Sequence, residues 1–353
     1  MRTFECDYTE GAHPKILEAL TRTNLEQMSG YGFDPYTARA AEKIKAACGA
    51  PDATVTFLVG GTQTNRIALD LLLAPYEGVL TPDTGHINVH EAGAIESAGH
   101  KVIALKQTDG ILEIDALEAY LSAFYADATY EHMVQPGAVY LTHPTEYGTL
   151  YSKEQLKRVR ALCDAYGMRL YVDGARLGYA LGCPQNDLTL IDLAALTDAF
   201  SIGGTKLGAL CGEALVFPKK APNMLMTQIK RQGGLLAKGR VLGVQFDTLF
   251  TDGLYDAIGR EAIRHAGRIR AILTEKGYPL AWDSPTNQQF VLINDAEADA
   301  LSKHVGFDRW GRTKAGLWIA RFTASWSTTD ADVDTLQAAL PAKNALCRQE
   351  KSV

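Results

Sequence analysis

Short β-branched hydrophobic runs punctuate the first two-thirds of the chain, with amphipathic stretches of helical length between many of them. The clearest run is 54–59, Thr-Val-Thr-Phe-Leu-Val, which breaks at Gly60-Gly61-Thr62 into an apolar stretch reaching Leu72. Val79-Leu80 predicts a short second strand and 101–105 a third, followed by a turn at Asp109-Gly110. Asp115-Ala116-Leu117-Glu118 has the form of a capping box and opens a helix. Residues 138–142 form the next strand. Ser152 to Gln155 is a second capping box, and Leu156, Val159, Cys163 and Tyr166 recur at helical spacing until Gly167. Strands follow at 169–172, 198–202 and 214–217. Strands alternating with helices predict an α/β fold, a mostly parallel central sheet with helices on both faces.

The pattern changes near residue 220. Pro218 and Pro222 introduce long helical stretches at 233–250 and 255–276, ended by Gly277-Tyr278-Pro279. Residues 289–293 and 317–322 then read as strands, and a last helix runs from Asp332. The expected organisation is an N-terminal arm over 1–25 with one short helix from Lys15. A large α/β domain over 26–250 and a smaller C-terminal α+β domain over 251–353 follow. There is no repeat or low-complexity tract.

A chain of 353 residues can bury a core without disulfide or metal staples. With 35 Lys and Arg against 41 Asp and Glu, the net charge is −6, which gives no footprint for nucleic acid or an anionic membrane. No apolar run approaches bilayer length, and the start lacks a secretory h-region. The six cysteines, at 6, 48, 163, 183, 211 and 347, form no C-x-x-C pair and no metal-ligand spacing. Reduced thiols in a cytoplasmic protein are expected.

Ligands of such sheets gather at the carboxyl ends of the strands. After 54–59 stands Gly60-Gly61-Thr62-Gln63-Thr64-Asn65, a tight turn into a helix whose free N–H groups suit a phosphate. It matches neither the P-loop nor the dinucleotide glycine pattern, and an ordinary turn would look the same. After 169–172 stands Asp173-Gly174-Ala175-Arg176, a carboxylate for a protonated ring nitrogen or else a structural ion pair. After 198–202 stands Gly203-Gly204-Thr205-Lys206, an amine nucleophile if its pKa is lowered, a surface lysine otherwise. Together they are the groups pyridoxal phosphate requires. The lysine forms the Schiff base, the aspartate keeps the ring nitrogen protonated, and the arginine clamps a substrate carboxylate.

The chain resembles the threonine aldolase and β-eliminating lyase family of fold-type I pyridoxal-phosphate enzymes. The motifs are Gly30-Tyr31-Gly32-Phe33-Asp34-Pro35, Gly61 to Asn65, Val172 to Arg176, Gly204-Thr205-Lys206, and His86 with His90-Glu91-Ala92-Gly93. The resemblance, over about 5–340, implies that Lys206 is the Schiff-base lysine, Asp173 the partner of the pyridine nitrogen, and Gly61 and Thr62 phosphate contacts. It implies that His86 stacks on the ring, that Arg176 and Arg321 hold the substrate α-carboxylate, and that Tyr31 and His143 lie near the substrate. An arginine in the apolar strand around Arg321 needs an anionic partner, either the substrate or an Asp or Glu.

Two departures stand out. The family's second active-site histidine aligns with Thr145 in Leu141-Thr142-His143-Pro144-Thr145-Glu146-Tyr147-Gly148, while His143 lies two residues earlier. The family serine near the start is Cys6 here, within Glu5-Cys6-Asp7-Tyr8. The activity implied is aldol cleavage of a β-hydroxy-α-amino acid, most simply L-threonine or L-allo-threonine to glycine and acetaldehyde. The base would be His86, His143 or water. Rival readings are β-elimination, racemisation or phenylserine cleavage on the same scaffold, a cofactor-free binding protein, and a dinucleotide oxidoreductase. The resemblance further implies homodimers with shared active sites, usually paired into tetramers. The basic segment from Lys230 to Gly234, with Lys238 and Arg240, could reach a neighbouring pocket or simply face solvent.

Overall fold

The computed structural model describes residues 2–341 and 343. Its main sheet begins with β1 (Thr54–Leu58), β2 (Glu77–Pro82) and β3 (Val102–Leu105). A small hairpin, β4 (Gln107–Thr108) and β5 (Ile111–Leu112), interrupts it. The sheet resumes with β6 (Gln135–Thr142), β7 (Arg169–Asp173), β8 (Ala199–Gly203) and β9 (Glu213–Phe217). Its order is β1-β9-β8-β7-β6-β2-β3. All neighbours are parallel except β9, which runs antiparallel to both β1 and β8. The mostly parallel sheet expected from the sequence is therefore present, with one reversed strand that no local pattern marks. β8 and β9 are buried along their whole length, as strands covered on both faces must be. β2 outgrows its two apolar residues because Gly78 lets Lys101 pass close: a Cβ there would sit 2.8 Å from its carbonyl oxygen.

Alternation along the strands sends side chains to opposite faces. After the helices α1 (Pro14–Thr23) and α2 (Pro35–Ala47) comes α3 (Gly61–Leu72), which Ala138 and Tyr140 join with Leu58 and Leu215 on one face. Val139 and Leu141 join Val172 and Ile202 on the other, against Ile44, Leu121, Val159 and Phe246. The Ser152–Gln155 capping box forms with both reciprocal bonds. The Asp115–Glu118 box does not. That helix starts earlier, at Ile114, since the hairpin already holds the Glu113 N–H on the Lys106 carbonyl, and Asp115 pairs with Arg158 instead. The stretch 233–250 is not one helix either: helices cover Leu225–Arg231 and Arg240–Leu249, and Gly233 at φ +72° begins the loop between them.

A second sheet, β10 (Gln288–Ile293), β11 (Asp308–Arg312) and β12 (Trp318–Thr323), is antiparallel with order β10-β12-β11. It packs Val291, Ile293 and Phe322 on Val333 and Leu336, and on the second half of the helix Leu254–Glu275. The first half of that helix, with Leu254 and Ile258, belongs to the large core. Phe4 is buried in the small core: its N–H donates to Gly306 O (2.8 Å), and its carbonyl accepts from Thr323 N (2.8 Å). This attachment carries Asp7 and Tyr8 from the small sheet to the carboxyl ends of the large one. No helix among the described residues is long and apolar enough to cross a membrane, and Cys6, Cys48, Cys163, Cys183 and Cys211 are free thiols.

Candidate active site

At those strand ends lies a cavity of about 280 Å³, lined by Gly61, Thr62, His86, Asp173, Arg176 and Lys206, with Tyr8, Glu146 and Glu213 completing its wall. Six residues singled out from sequence thus share one space. Four strand ends, those of β1, β2, β7 and β8, place them. β1 delivers the chain to Gly60 and Gly61, where an added Cβ would meet nothing within 4 Å and no side chain caps α3. The first N–H groups of α3 are left for an anion, with the positive end of the helix dipole behind them.

β7 ends on Asp173. Its Oδ2 accepts from Tyr140 Oη (2.7 Å) and Asn65 Nδ2 (2.8 Å), and its Oδ1 from Ala175 N (2.8 Å) and Ser201 Oγ (3.3 Å). The tips of β7 and β8 can press together only because residues 174 and 203 are glycines. A Cβ on Gly174 would strike Ser201 O, and one on Gly203 would strike Ala175 O. β8 then turns into Thr205–Leu207, presenting Lys206. Burial lowers the Lys206 pKa and the charge of Arg176 adds to this, against Asp7, Glu213 and Asp173, which raise it. An amine whose pKa is depressed in this way supplies more of its neutral, nucleophilic form.

His86 is held at two points. Its backbone N–H donates to Glu146 Oε1 (2.9 Å), which also accepts from Thr142 Oγ1 (2.9 Å). Its ring Nδ1 lies 2.7 Å from Glu91 Oε1, and Asn65 Nδ2 links that oxygen (2.7 Å) to Asp173. Tyr171 Oη donates to Asn65 Oδ1 (2.9 Å), which fixes the amide orientation. The network runs from His86 through Glu91 and Asn65 to Asp173. Sequence reasoning gave no role to Asn65, Glu91, Glu146, Tyr140, Tyr171 or Glu213. The usable signal was helical spacing, which puts Asn65 on the face of Gly61 and Thr62.

The structure places the remaining expected residues as follows. His143 does not reach the cavity. It is 2% exposed, its Nε2 is 3.0 Å from Asn186 Oδ1, and burial lowers its pKa to about 4. Thr145 is buried against Thr149, so the segment offers Pro144 and Glu146 to the cavity in place of a histidine. Tyr31 lies in a different groove with Phe33, Met226 and Leu236. Arg176 is not a free fork: Asp7 takes Nε (2.8 Å) and Nη2 (3.0 Å), leaving Nη1 outside the pair. Arg321 has found a protein anion, Asp308 at 2.8 Å, and its guanidinium lies over Trp310, 4.4 Å from the ring centroid. Arg240 ties down the carbonyls of Glu26 and Asn24 of its own chain.

A family model described as Beta-eliminating lyase matches residues 4–314. The chain belongs to that family. A Pseudomonas sp. (strain NCIMB 10558) protein named low specificity L-threonine aldolase is 30% identical over 342 residues, covering 95% of this chain and 96% of its own. A Pseudomonas aeruginosa protein of the same name is 31% identical over 336 residues, covering 92% and 93%. The solved structure of a Leishmania major threonine aldolase matches with a TM-score of 0.92 at 40% identity, covering 99% of each chain. This member of the family is a pyridoxal-phosphate-dependent lyase, and the site suits that cofactor. An open glycine cradle for the phosphate, a four-fold hydrogen-bonded carboxylate and a lysine of lowered pKa line one cavity.

Proposed function

We propose that the chain cleaves L-threonine or L-allo-threonine to glycine and acetaldehyde. The observation that carries this reading is the meeting of Lys206, Asp173, the α3 cradle and His86 in one cavity. Bound there, pyridoxal phosphate supplies an electron sink for the pair released from the Cα–Cβ bond. The cradle of Gly61 and Thr62 would hold its phosphate, Lys206 its aldehyde carbon, and Asp173 would offset the positive charge on its ring nitrogen.

His86 is the base in this reading. A carboxylate only accepts hydrogen bonds, so Glu91 fixes the hydrogen on Nδ1 and leaves Nε2 to take the proton of the β-hydroxyl. Glu91 then offsets the positive charge on the ring. Arg176, braced by Asp7, directs Nη1 to the substrate carboxylate, and Arg321 supports the same charge from the small sheet. Holding the carboxylate would fix the rotation of the substrate about its Cα, and this orientation selects the bond that breaks. Cleavage of phenylserine is a second reading: Trp310 packs edge-on to His90, which packs on His86, so an aromatic side chain would have partners there.

Two copies forming a dimer, paired into a tetramer, is the expected assembly. The exposed Tyr31 and Phe33 and the groove they line with Met226 and Leu236 support it. The five free thiols among the described residues fit a reducing compartment, the cytoplasm. Purified enzyme should show a visible absorption band from cofactor bound to Lys206, and release acetaldehyde from threonine rather than pyruvate. Lys206→Ala should lose both properties. Turnover that survives in Lys206→Ala refutes the reading.

A further inference from the structure

Trp310 is the extra residue of a β-bulge in the edge strand β11. That strand pairs with β12 as Asp308 with Arg321 and Arg309 with Ala320, then as Gly311 with Ile319, so Trp310 has no partner of its own. A bulge twists an edge strand and re-aims a side chain, and bulges gather next to active sites. Here the half-buried indole comes to rest against Arg321 and reaches toward His86. The guanidinium carbon of Arg321 lies 4.4 Å from its ring centroid, and the ring of His90 meets it edge-on at 5.9 Å. His90 in turn is 5.6 Å from His86, which lines the cavity.

The indole is also held from behind. Phe290, fully buried on β10, meets it edge-on at 5.8 Å, and Trp282 meets Phe290 edge-on at 4.8 Å. Trp282 stacks at 4.0 Å on Tyr147, whose neighbour Glu146 accepts the backbone N–H of His86. These contacts close a circuit that starts and ends at His86 and crosses twice between the large sheet's loops and the small sheet. Asp308, Gln288 Oε1 (3.0 Å) and Glu5 O (3.2 Å) accept hydrogens from the edges of the Arg321 guanidinium, and Trp310 covers a face without competing for them. Burial, then the charges of His86 and Arg321, lower the His90 pKa, so the ring next to Trp310 is a neutral one.

With the β-hydroxyl at His86, the β-carbon stands beside the same wall, and the next rings along that wall are His90 and Trp310. We propose that Trp310 is a specificity-determining residue, a surface for the substrate side chain that favours flat apolar β-substituents, aryl above methyl. A flat ring gains from offset or edge-on contact with Trp and His, which a methyl group cannot make. It also buries more apolar area. The inference rests on the reading that His86 faces the β-carbon, and the test separates the two.

L-Phenylalanine and L-alanine carry no β-hydroxyl, so neither can undergo the cleavage. Their binding to the cofactor-loaded enzyme is read from the visible band of the cofactor. Wild type should bind L-phenylalanine about tenfold or more tightly than L-alanine. Trp310→Ala should bring the two dissociation constants within about threefold by weakening L-phenylalanine, whereas Trp310→Phe, which keeps a ring, should retain most of the preference. A residue that only steadies Arg321 would act on the α-carboxylate, which both ligands share. Trp310→Ala would then weaken both by one factor and leave their ratio in place, and that result overturns the inference. Equal affinities in wild type overturn it too. Trp310→Leu covers failure of the alanine variant to fold: its ratio must fall below that of Trp310→Phe, and an equal ratio counts against the inference. Acetaldehyde release from threonine judges the reading alone. Its absence from wild type, with the ligand ratios as expected, refutes the reading and leaves the side-chain surface standing.

Discussion

Removing one partner of the Asp7–Arg176 pair strands a charge that water hardly reaches, since Asp7 is fully buried and the Arg176 side chain is 13% exposed. Asp7→Asn should cost about 3 kcal/mol in denaturant unfolding. It should also raise KM, because Nη1 of Arg176 loses its brace. Burial works to raise the Asp7 pKa, but the charge of Arg176, then that of Lys206, and hydrogen bonds from Arg176 and Asn287 bring it below 3.8. Its contribution is therefore complete above pH 3.8 and lost as pH falls through the lower folded value. Wild type and Asp7→Asn should converge in that acid range, and a constant gap would contradict the assignment. His143 makes a separate pH statement. Burial holds its folded pKa at about 4 against an ordinary 6.5, so below 6.5 the unfolded chain binds a proton the folded one refuses. Stability should fall from pH 6.5 to 4 by about 3 kcal/mol on this account. His143→Gln should flatten that slope while leaving the pH profile of kcat in place, which a catalytic His143 would not permit.

At the scale of elements, the helix Leu177–Leu181 begins directly after Arg176 and lies against the helix Leu254–Glu275. The two meet at glycines. A Cβ on Gly259 would strike the carbonyl of Gly178, and one on Gly182 would lie 2.5 Å from the carbonyl carbon of Gly259. Gly259→Ala should destabilise by about 2 kcal/mol or more. It should also raise KM more than it lowers kcat, since the displaced helix carries Arg176; an equal loss in both would place the damage elsewhere. Such contacts show what the sequence could and could not disclose. The strands of the main sheet, the turn at Gly60–Thr62 and the lysine after β8 are local features that periodicity with turn chemistry found, whereas the polar edge strand β11 has no apolar run to mark it. The reversal of β9 was hidden, because a fully buried strand reads as the same apolar run in either direction. Asp115 failed as part of a capping box since a hairpin bond and Arg158 outweighed a local preference. The partner of Arg176 is 169 positions away, the partner of Arg321 arrives on a neighbouring strand, and Glu213 reaches the cavity wall only through the register of β9.

For the whole molecule, the open question is what covers the groove of Tyr31, Phe33, Met226 and Leu236. Phe33 is 71% and Tyr31 45% exposed, a larger apolar display than a lone molecule gains from leaving wet. The groove is mechanically joined to the cofactor cradle. Gln63, in the first turn of α3, donates to Gln232 O (3.3 Å) in the loop behind the groove and accepts from Val59 N (3.4 Å) at the end of β1. That loop also holds the Tyr31 N–H through Ala237 O (3.1 Å). Covering the groove with a second copy should steady the loop, then Gln63, then the N–H groups that face the phosphate. Phe33→Asp should therefore sediment as a smaller species at micromolar concentration, with an unchanged far-ultraviolet spectrum. Its affinity for pyridoxal phosphate should drop and recover with rising protein concentration, as mass action requires when assembly and binding are linked. A Phe33→Asp protein that dissociates and still binds cofactor as wild type does would disconnect the interface from the cradle. One that stays associated would place the interface elsewhere.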